Sequence, residues 1–282
     1  DEIYNEQGSL EVIQNVLEHP YNGEILEIKT MHSIDSLKIT PEHPVLAIQN
    51  QQKGTNYDII KNRLNKNLVS IDYVEAKEID ENSMLAFKIP QYSYDFENIT
   101  EEDCYLYGLM LGDGYMSNKG NQCSLTFHTE NKNKCIEFVK DYMSKHCIHI
   151  TVSNNGNENG LTTKLIWSKG VDFKFSRSDV YAENGDKCMS SKMLNLPVNK
   201  CKQIVKGLLH SDGCIHDEII LDSTSRIMTE QFKFILLKMG IPTSGYVRNR
   251  IGETHQLKNG ATITNKLISY CVRVPKTNEL MD

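Results

Sequence analysis

One segment occurs twice in this chain of 282 residues. Leu106-Tyr-Gly-Leu-Met-Leu-Gly-Asp-Gly114 returns as Val205-Lys-Gly-Leu-Leu-His-Ser-Asp-Gly213, with Gly-Leu and Asp-Gly in register and the two aspartates 99 residues apart. A single copy is an apolar helix closed by a glycine, which many proteins contain. The neighbours repeat as well. After the first copy comes Gln122-Cys-Ser-Leu-Thr-Phe-His128, a period-two strand, then a helix over Asn133 to Lys145 with Ile136, Val139 and Met143 at helical spacing. After the second copy comes Glu218-Ile-Ile-Leu-Asp222, then a helix with apolar positions Met228, Phe232, Ile235, Leu236 and Met239. Helix, strand, helix and strands in the same order twice imply two similar halves about a pseudo-twofold axis.

Small residues stand four apart on each repeated helix, Gly108 and Gly112 on the first, Gly207 and Ser211 on the second. Two such stripes facing each other let helix backbones approach closely. If they form the seam between the halves, Asp113 and Asp212 fall side by side at its edge. Paired carboxylates repel unless a cation or proton intervenes, and the helix C-termini add further negative charge. Oxygen donors of this kind suit Mg²⁺. Carboxylates flanking divalent ions make a site for phosphodiester hydrolysis.

The two segments resemble the paired signature helices of LAGLIDADG homing endonucleases, from about residue 100 to the chain end. The resemblance implies an αββαββα unit repeated twice about a pseudo-dyad, each half laying an antiparallel sheet into the DNA major groove. It implies a monomer that cuts both strands of a long asymmetric target. It also implies two or three Mg²⁺ ions shared between Asp113 and Asp212, with Mn²⁺ as a substitute and the carbonyls of Gly112 and Ser211 as further ligands. A basic residue beside each site is implied too. Lys192, in Ser191-Lys-Met-Leu-Asn-Leu-Pro197, fits one position loosely, and Lys187 competes with it because the spacing to Pro197 is altered. Lys276 fits the other. Base readers are expected on outward strand faces: Gln122, Ser124, Thr126 and His128 in the first half; Tyr246, Arg248 and Arg250 alternating on one strand in the second, followed by a turn at Asn259-Gly260 and by Lys266 and Arg273. A non-cleaving DNA-binding or RNA-splicing accessory protein on the same fold, or a protein-splicing module, is the alternative, and retention of both aspartates favours the nuclease.

The net charge of −6 argues against a nucleic-acid partner until it is divided along the chain. Residues 1–100 sum to −9 and residues 101–282 to +3, and residues 223–276 alone carry +7. The front third also differs in texture. Gly23–Ile28, Ser36–Thr40, Pro44–Ile48 and Asn67–Ile71 alternate with turn formers, which predicts short strands and few helices. Thr100-Glu-Glu-Asp103 begins a helical stretch, so domains are expected at 1–98 and 99–282, the latter in halves of about 99–196 and 197–282.

Thr40-Pro-Glu-His43 in the front third reads by itself as a turn after a strand. With Tyr21-Asn-Gly-Glu24, Pro44-Val-Leu46 and Ile71-Asp-Tyr-Val-Glu-Ala-Lys77, the stretch resembles the start of the Hint fold of inteins. There the Thr and His of a TxxH motif activate the upstream splice junction. The resemblance gives a mainly-β Hint-like domain ahead of the α/β endonuclease, with Thr40 and His43 as relics of splicing. The chain begins with Asp1 and ends Glu279-Leu-Met-Asp282, without the splice-junction residues, so splicing by the standard route is not expected. Eight scattered cysteines without a CxxC pair read as reduced thiols of an intracellular protein.

Overall fold

Short apolar runs broken by turn formers give short strands, and the first part of the computed structural model is built from them. The structure describes all residues except 1, 6, 50, 53, 54, 158, 159, 171, 172, 257–261 and 278–282, and the side chains of 157 and 160. Asp1, the Asn259-Gly260 turn and the Glu279–Asp282 end therefore lie outside the described residues. The chain divides into two compact units, Asp1–Tyr92 and Ser93–Asp282.

In the first unit, β1 (Glu2–Tyr4) pairs with β2 (Leu10–Val12) and β3 (Leu26–Ile28) with β4 (Leu37–Ile39). The strand β5 (Pro44–Ile48) lies between β6 (Asp72–Glu75) and β7 (Met84–Leu85), all antiparallel. One helix, α1 (Tyr57–Asn65), interrupts the strands. The strand-rich expectation passed over it because it is only 9 residues long, with Tyr57, Ile60 and Leu64 as a short apolar row among polar residues. A local signal starts it instead: the Asn56 side chain accepts from Ile59 N–H at 3.0 Å. The strand expected at Asn67–Ile71 begins later, at Asp72, because Asn67 adopts φ +53 just past the helix.

The second unit holds the repeat. Its first half runs α2 (Glu101–Gly112), β8 (Gly114–Met116), β9 (Gln122–His128), α3 (Asn133–Lys145), β10 (Thr151–Asn157), β11 (Gly160–Ser168), then a short helix α4 (Ser191–Leu194). Its second half runs α5 (Val198–Asp212), β12 (Gly213–Ile215), β13 (Ile219–Ser223), α6 (Arg226–Lys238), β14 (Ser244–Arg248), a hairpin of β15 (Thr254–Gln256) and β16 (Thr262–Thr264), and β17 (Ser269–Val274). The sheets are ordered β10-β11-β9-β8 and β14-β17-β13-β12. Strand for strand these orders match, and both sheets are antiparallel throughout. The second unit is thus a mixed α/β fold in two topologically equivalent halves. Among the described residues no helix is long and apolar enough to cross a membrane.

Helix α2 is buried at Leu106, Tyr107, Leu109, Met110 and Leu111, which explains its lack of an amphipathic stripe: it is packed on all sides. Its start is fixed by a reciprocal capping box, Asp103 N–H to Thr100 Oγ1 at 3.2 Å and Thr100 N–H to Asp103 Oδ2 at 2.7 Å. Asp103 also receives Lys174 Nζ at 2.6 Å and the Tyr142 hydroxyl. Burial pushes this carboxyl up, and the donors from Lys174, Tyr142 and Thr100 outweigh it, leaving it below the ordinary value. A carboxyl depressed by folding contributes stability above its unfolded pKa, and the contribution is lost as pH falls through the folded value. Asp103→Asn is therefore expected to cost about 2 kcal/mol at neutral pH, a buried-pair loss discounted for the partial exposure of Lys174. Denaturant titrations at neutral and acid pH check this, and the gap between parent and variant should narrow in acid.

Candidate functional site at the helix seam

Helices α2 and α5 meet backbone to backbone, and glycine is what permits it. A Cβ on Gly108 would stand 2.3 Å from the Ile204 carbonyl oxygen, and one on Gly207 would stand 2.2 Å from that of Tyr105. At the C-terminal end a Cβ on Gly112 would meet Ser211 Oγ at 2.0 Å and Asp212 Cγ at 3.2 Å. The Ser211 hydroxyl turns back into its own helix, donating to the carbonyls of Gly207 (3.1 Å) and Leu208 (2.9 Å). The seam thus brings the last turns of both helices together, with Asp113 at the C-cap of α2 and Asp212 as the final residue of α5.

The charge at this junction is partly withdrawn from solvent. Burial pushes the Asp113 carboxyl above its ordinary value. Burial does the same to Asp212, and the negative charge of Asp113 adds to it. Asp212 is nonetheless an exposed residue, so its withdrawal from solvent is partial. Two lysines oppose the repulsion. Lys132 Nζ lies 2.7 Å from Asp113 Oδ2 and donates as well to the Ser211 carbonyl. Lys187 Nζ donates to the carbonyls of Met110 and Gly114, each at 2.5 Å, so it caps the C-terminal end of α2. Burial lowers the Lys187 ammonium to about 8, against the pull of Asp212 and Asp113.

Of the lysines that sequence singled out, the competitor Lys187 is the one at the seam. Lys192 sits on α4 with its ammonium 5.7 Å from the centre of the Phe96 ring, and Lys276 is exposed beyond the end of β17. Lys132 was not anticipated. Its only sequence signal was its position, directly ahead of the helix that follows the polar strand, and nothing in a single chain distinguishes that lysine from a solvated one.

The sheet faces are less uniform than their alternation predicts. On β9, Gln122 and Thr126 are exposed and His128 is half-buried, whereas Ser124 is only 2 % exposed. Its short side chain lies between Tyr115 and Ile166 on the neighbouring strands, so Ser124 is not an outward reader. In the second half Arg248 Nη1 lies 2.5 Å from Asp222 Oδ2 and Nη2 lies 2.7 Å from the Tyr246 hydroxyl. Arg273 Nε lies 3.5 Å from Glu218, and both guanidinium groups stand over the Tyr246 ring, at 5.6 Å for Arg248 and 5.4 Å for Arg273. Two acids of the second half, Asp222 and Glu218, are thus the partners of the two arginines. Arg250 falls beyond the end of β14, 3.7 Å from Glu253, and Lys266 is exposed between β16 and β17. Part of the +7 segment is also used internally: Lys238 is buried on the carbonyls of Leu194 (3.2 Å) and Leu196 (3.0 Å).

In the first unit, Thr40-Pro-Glu-His43 is a turn closed by His43 N–H to the Thr40 carbonyl at 3.1 Å. The carbonyls of Pro41 and His43 receive the N–H groups of Lys77 and Ala76, each at 2.9 Å. Thr40 is half-buried and His43 exposed.

No protein-family model matches the chain. Among curated proteins it is similar to the uncharacterized protein MJ0043 of Methanocaldococcus jannaschii, at 22 % identity over 85 % of this chain and 34 % of that protein. It is also similar to the ATP-dependent DNA helicase Hel308 of the same organism, at 24 % identity over 80 % of this chain and 17 % of the helicase. The chain thus spans about a third of the one and about a sixth of the other. Among solved structures it is similar to mesophilic variants of the homing endonuclease I-DmoI, with TM-score 0.44 and 14 % identity over 66 % of this chain and 94 % of that one. I-DmoI has also been solved with DNA and calcium and with DNA and manganese, and a substituted variant of it with target DNA in magnesium. The full-length DUF199/WhiA of Thermatoga maritima gives TM-score 0.43 and 10 % identity, covering 67 % of this chain and 55 % of that one. The N-terminal LAGLIDADG domain of DUF199/WhiA gives TM-score 0.41 and 10 % identity over 67 % of this chain and 82 % of its own.

Proposed function

We propose that the Ser93–Asp282 unit is a LAGLIDADG-type homing endonuclease that hydrolyses both strands of a long asymmetric DNA target with Mg²⁺. The observation that carries this reading is the convergence of Asp113 and Asp212 at the ends of two helices in backbone contact. The donor set fits a hard divalent ion. It offers carboxylate and carbonyl oxygens only, from Asp113, Asp212, Gly112 and Ser211, and one of its gaps already attracts an ammonium group. Two or three Mg²⁺ ions, or Mn²⁺, held there would supply an activated water and neutralise the departing oxygen. The protein's own part is to fix the carboxylates on rigid helix ends and to exclude alternatives by close packing. It also keeps the Lys187 ammonium at the junction, where a scissile phosphate would need positive charge.

The sheet faces would supply the readers: Gln122, Thr126 and His128 in one half, and Tyr246, Arg248 and Arg273 in the other, with Arg250 and Lys266 flanking. Asp222 and Glu218 hold the arginines off phosphate until a matching site competes. Asp222→Asn is therefore expected to raise affinity for random duplex about tenfold and to steepen the log–log salt dependence by about one. Fluorescence anisotropy across salt concentrations measures both, and an unchanged slope contradicts the assignment.

The Asp1–Tyr92 unit is proposed to be the Hint-like part of an intein that carries the nuclease, with Thr40 and His43 at its splicing turn. Two features support a mobile insert. The chain is similar to minor fractions of two differently named proteins of one organism. The MJ0043 similarity covers 85 % of the chain, more than Ser93–Asp282 alone supplies, so it reaches into the first unit. The test is incubation with plasmids carrying intein-less alleles of host genes, with Mg²⁺ or EDTA. Linear product in Mg²⁺ alone is expected. Cleavage that persists in EDTA, or tight binding that never leads to cleavage, overturns the reading, the latter in favour of a non-cleaving binder.

A further inference from the structure

Lys132 breaks the equivalence of the two halves at the seam. Its ammonium joins the Asp113 carboxylate, at 2.7 Å, to the Ser211 carbonyl, so it bridges the end of one helix to the end of the other. The mirror arrangement would join Asp212 to the Gly112 carbonyl. The residue that should provide it is Ser225, because Lys132 is the N-cap residue of α3 and Ser225 that of α6, the same place in the repeated order. Ser225 is buried, with its hydroxyl on the Lys187 carbonyl and on Met228 N–H, too short and too engaged to reach the seam. Among the described residues no donor hydrogen-bonds to the Asp212 carboxylate, which is influenced only by burial and by charges at a distance.

We infer that Lys132 is a resident cation in one of two cross-seam metal positions, so that divalent ions load in order, first between Asp212 and the Gly112 carbonyl, then between Asp113 and the Ser211 carbonyl once Lys132 has swung away. The inference rests on the metal-dependent reading above. A side-chain ammonium is tethered, so its effective concentration at the pair is in the millimolar range or above. A divalent ion must compete with that tethered charge at the Asp113 position and with water alone at the Asp212 position. The Asp113 position should consequently bind more weakly than the Asp212 position, by about tenfold.

The test is Mn²⁺ binding to the whole chain without DNA, with free Mn²⁺ followed by electron paramagnetic resonance. The parent should show two affinity classes about tenfold apart. Lys132→Met should tighten the weaker class about tenfold and leave the stronger unchanged, and Lys132→Gln should do the same with a polar side chain kept in place. Asp113→Asn should remove the weaker class and Asp212→Asn the stronger. If both Lys132 variants leave the two affinities as they were while the double aspartate variant abolishes binding, ordered loading is wrong and the metal site stands. If the double variant binds Mn²⁺ as the parent does, the metal site itself is wrong and the inference falls with it.

Discussion

Gly207→Ala is expected to destabilise the Ser93–Asp282 unit by about 3 kcal/mol, although the same change in an exposed helix interior stabilises by about 1 kcal/mol. The sign is decided by what the new methyl meets. It would lie 2.2 Å from the Tyr105 carbonyl oxygen and 3.0 Å from both Gly108 Cα and Leu109 N, all backbone, so no side chain can turn aside. The helices must part by roughly 1 Å, which forfeits a quarter to a half of the dispersion energy along the seam. In a unit of this size that loss corresponds to a fall in Tm of roughly 6–12 °C. The same parting moves Asp113 relative to Asp212, and a misplacement on this scale costs about a hundredfold in rate. Gly108→Ala should behave alike. The double variant should lose less than the sum, because the first substitution already opens the gap that the second needs. Thermal unfolding of the three variants decides the matter. A rise in Tm for either single variant contradicts the backbone contact.

Asp113→Asn and Asp212→Asn are each expected to reduce cleavage by about a thousandfold or more, with no rescue by added Mg²⁺. The amide keeps the shape of the carboxylate and removes the charge that a divalent ion requires. Binding should survive and even tighten slightly, because burial and mutual repulsion already make two carboxylates beside DNA phosphate unfavourable. That separation of rate from affinity distinguishes loss of chemistry from loss of folding. A variant that stays folded and bound yet cuts at a tenth of the parent rate would show that the carboxylate is not at the reacting centre.

The seam was legible in the sequence because its cause is compositional: only glycine and serine four apart allow such an approach, and the repeat marked both helices at once. The equivalence of the two halves was legible for the same reason, since the flanking elements recur. What sequence did not disclose depends on tertiary neighbours. Ser124 alternates outward and is buried all the same, because Tyr115 and Ile166 overshadow a short side chain. Arg248 and Arg273 looked like free readers, and their partners, Asp222 on β13 and Glu218 just ahead of it, come from another part of the chain. The long reach of Lys132 to a helix end 79 residues away in sequence has no local signature. Helix α1 was missed because it is only 9 residues long and mostly polar, so its period did not stand out between the strands around it.

The most direct measurement is single-turnover cleavage of one selected duplex by the parent and by the Asp113→Asn/Asp212→Asn double variant, with binding of both verified on that duplex. At saturating protein the expected result is full occupancy for both, double-strand cutting by the parent in Mg²⁺ and none in EDTA, and no product from the double variant in either. Cutting by the double variant, or by the parent without a divalent ion, would contradict it.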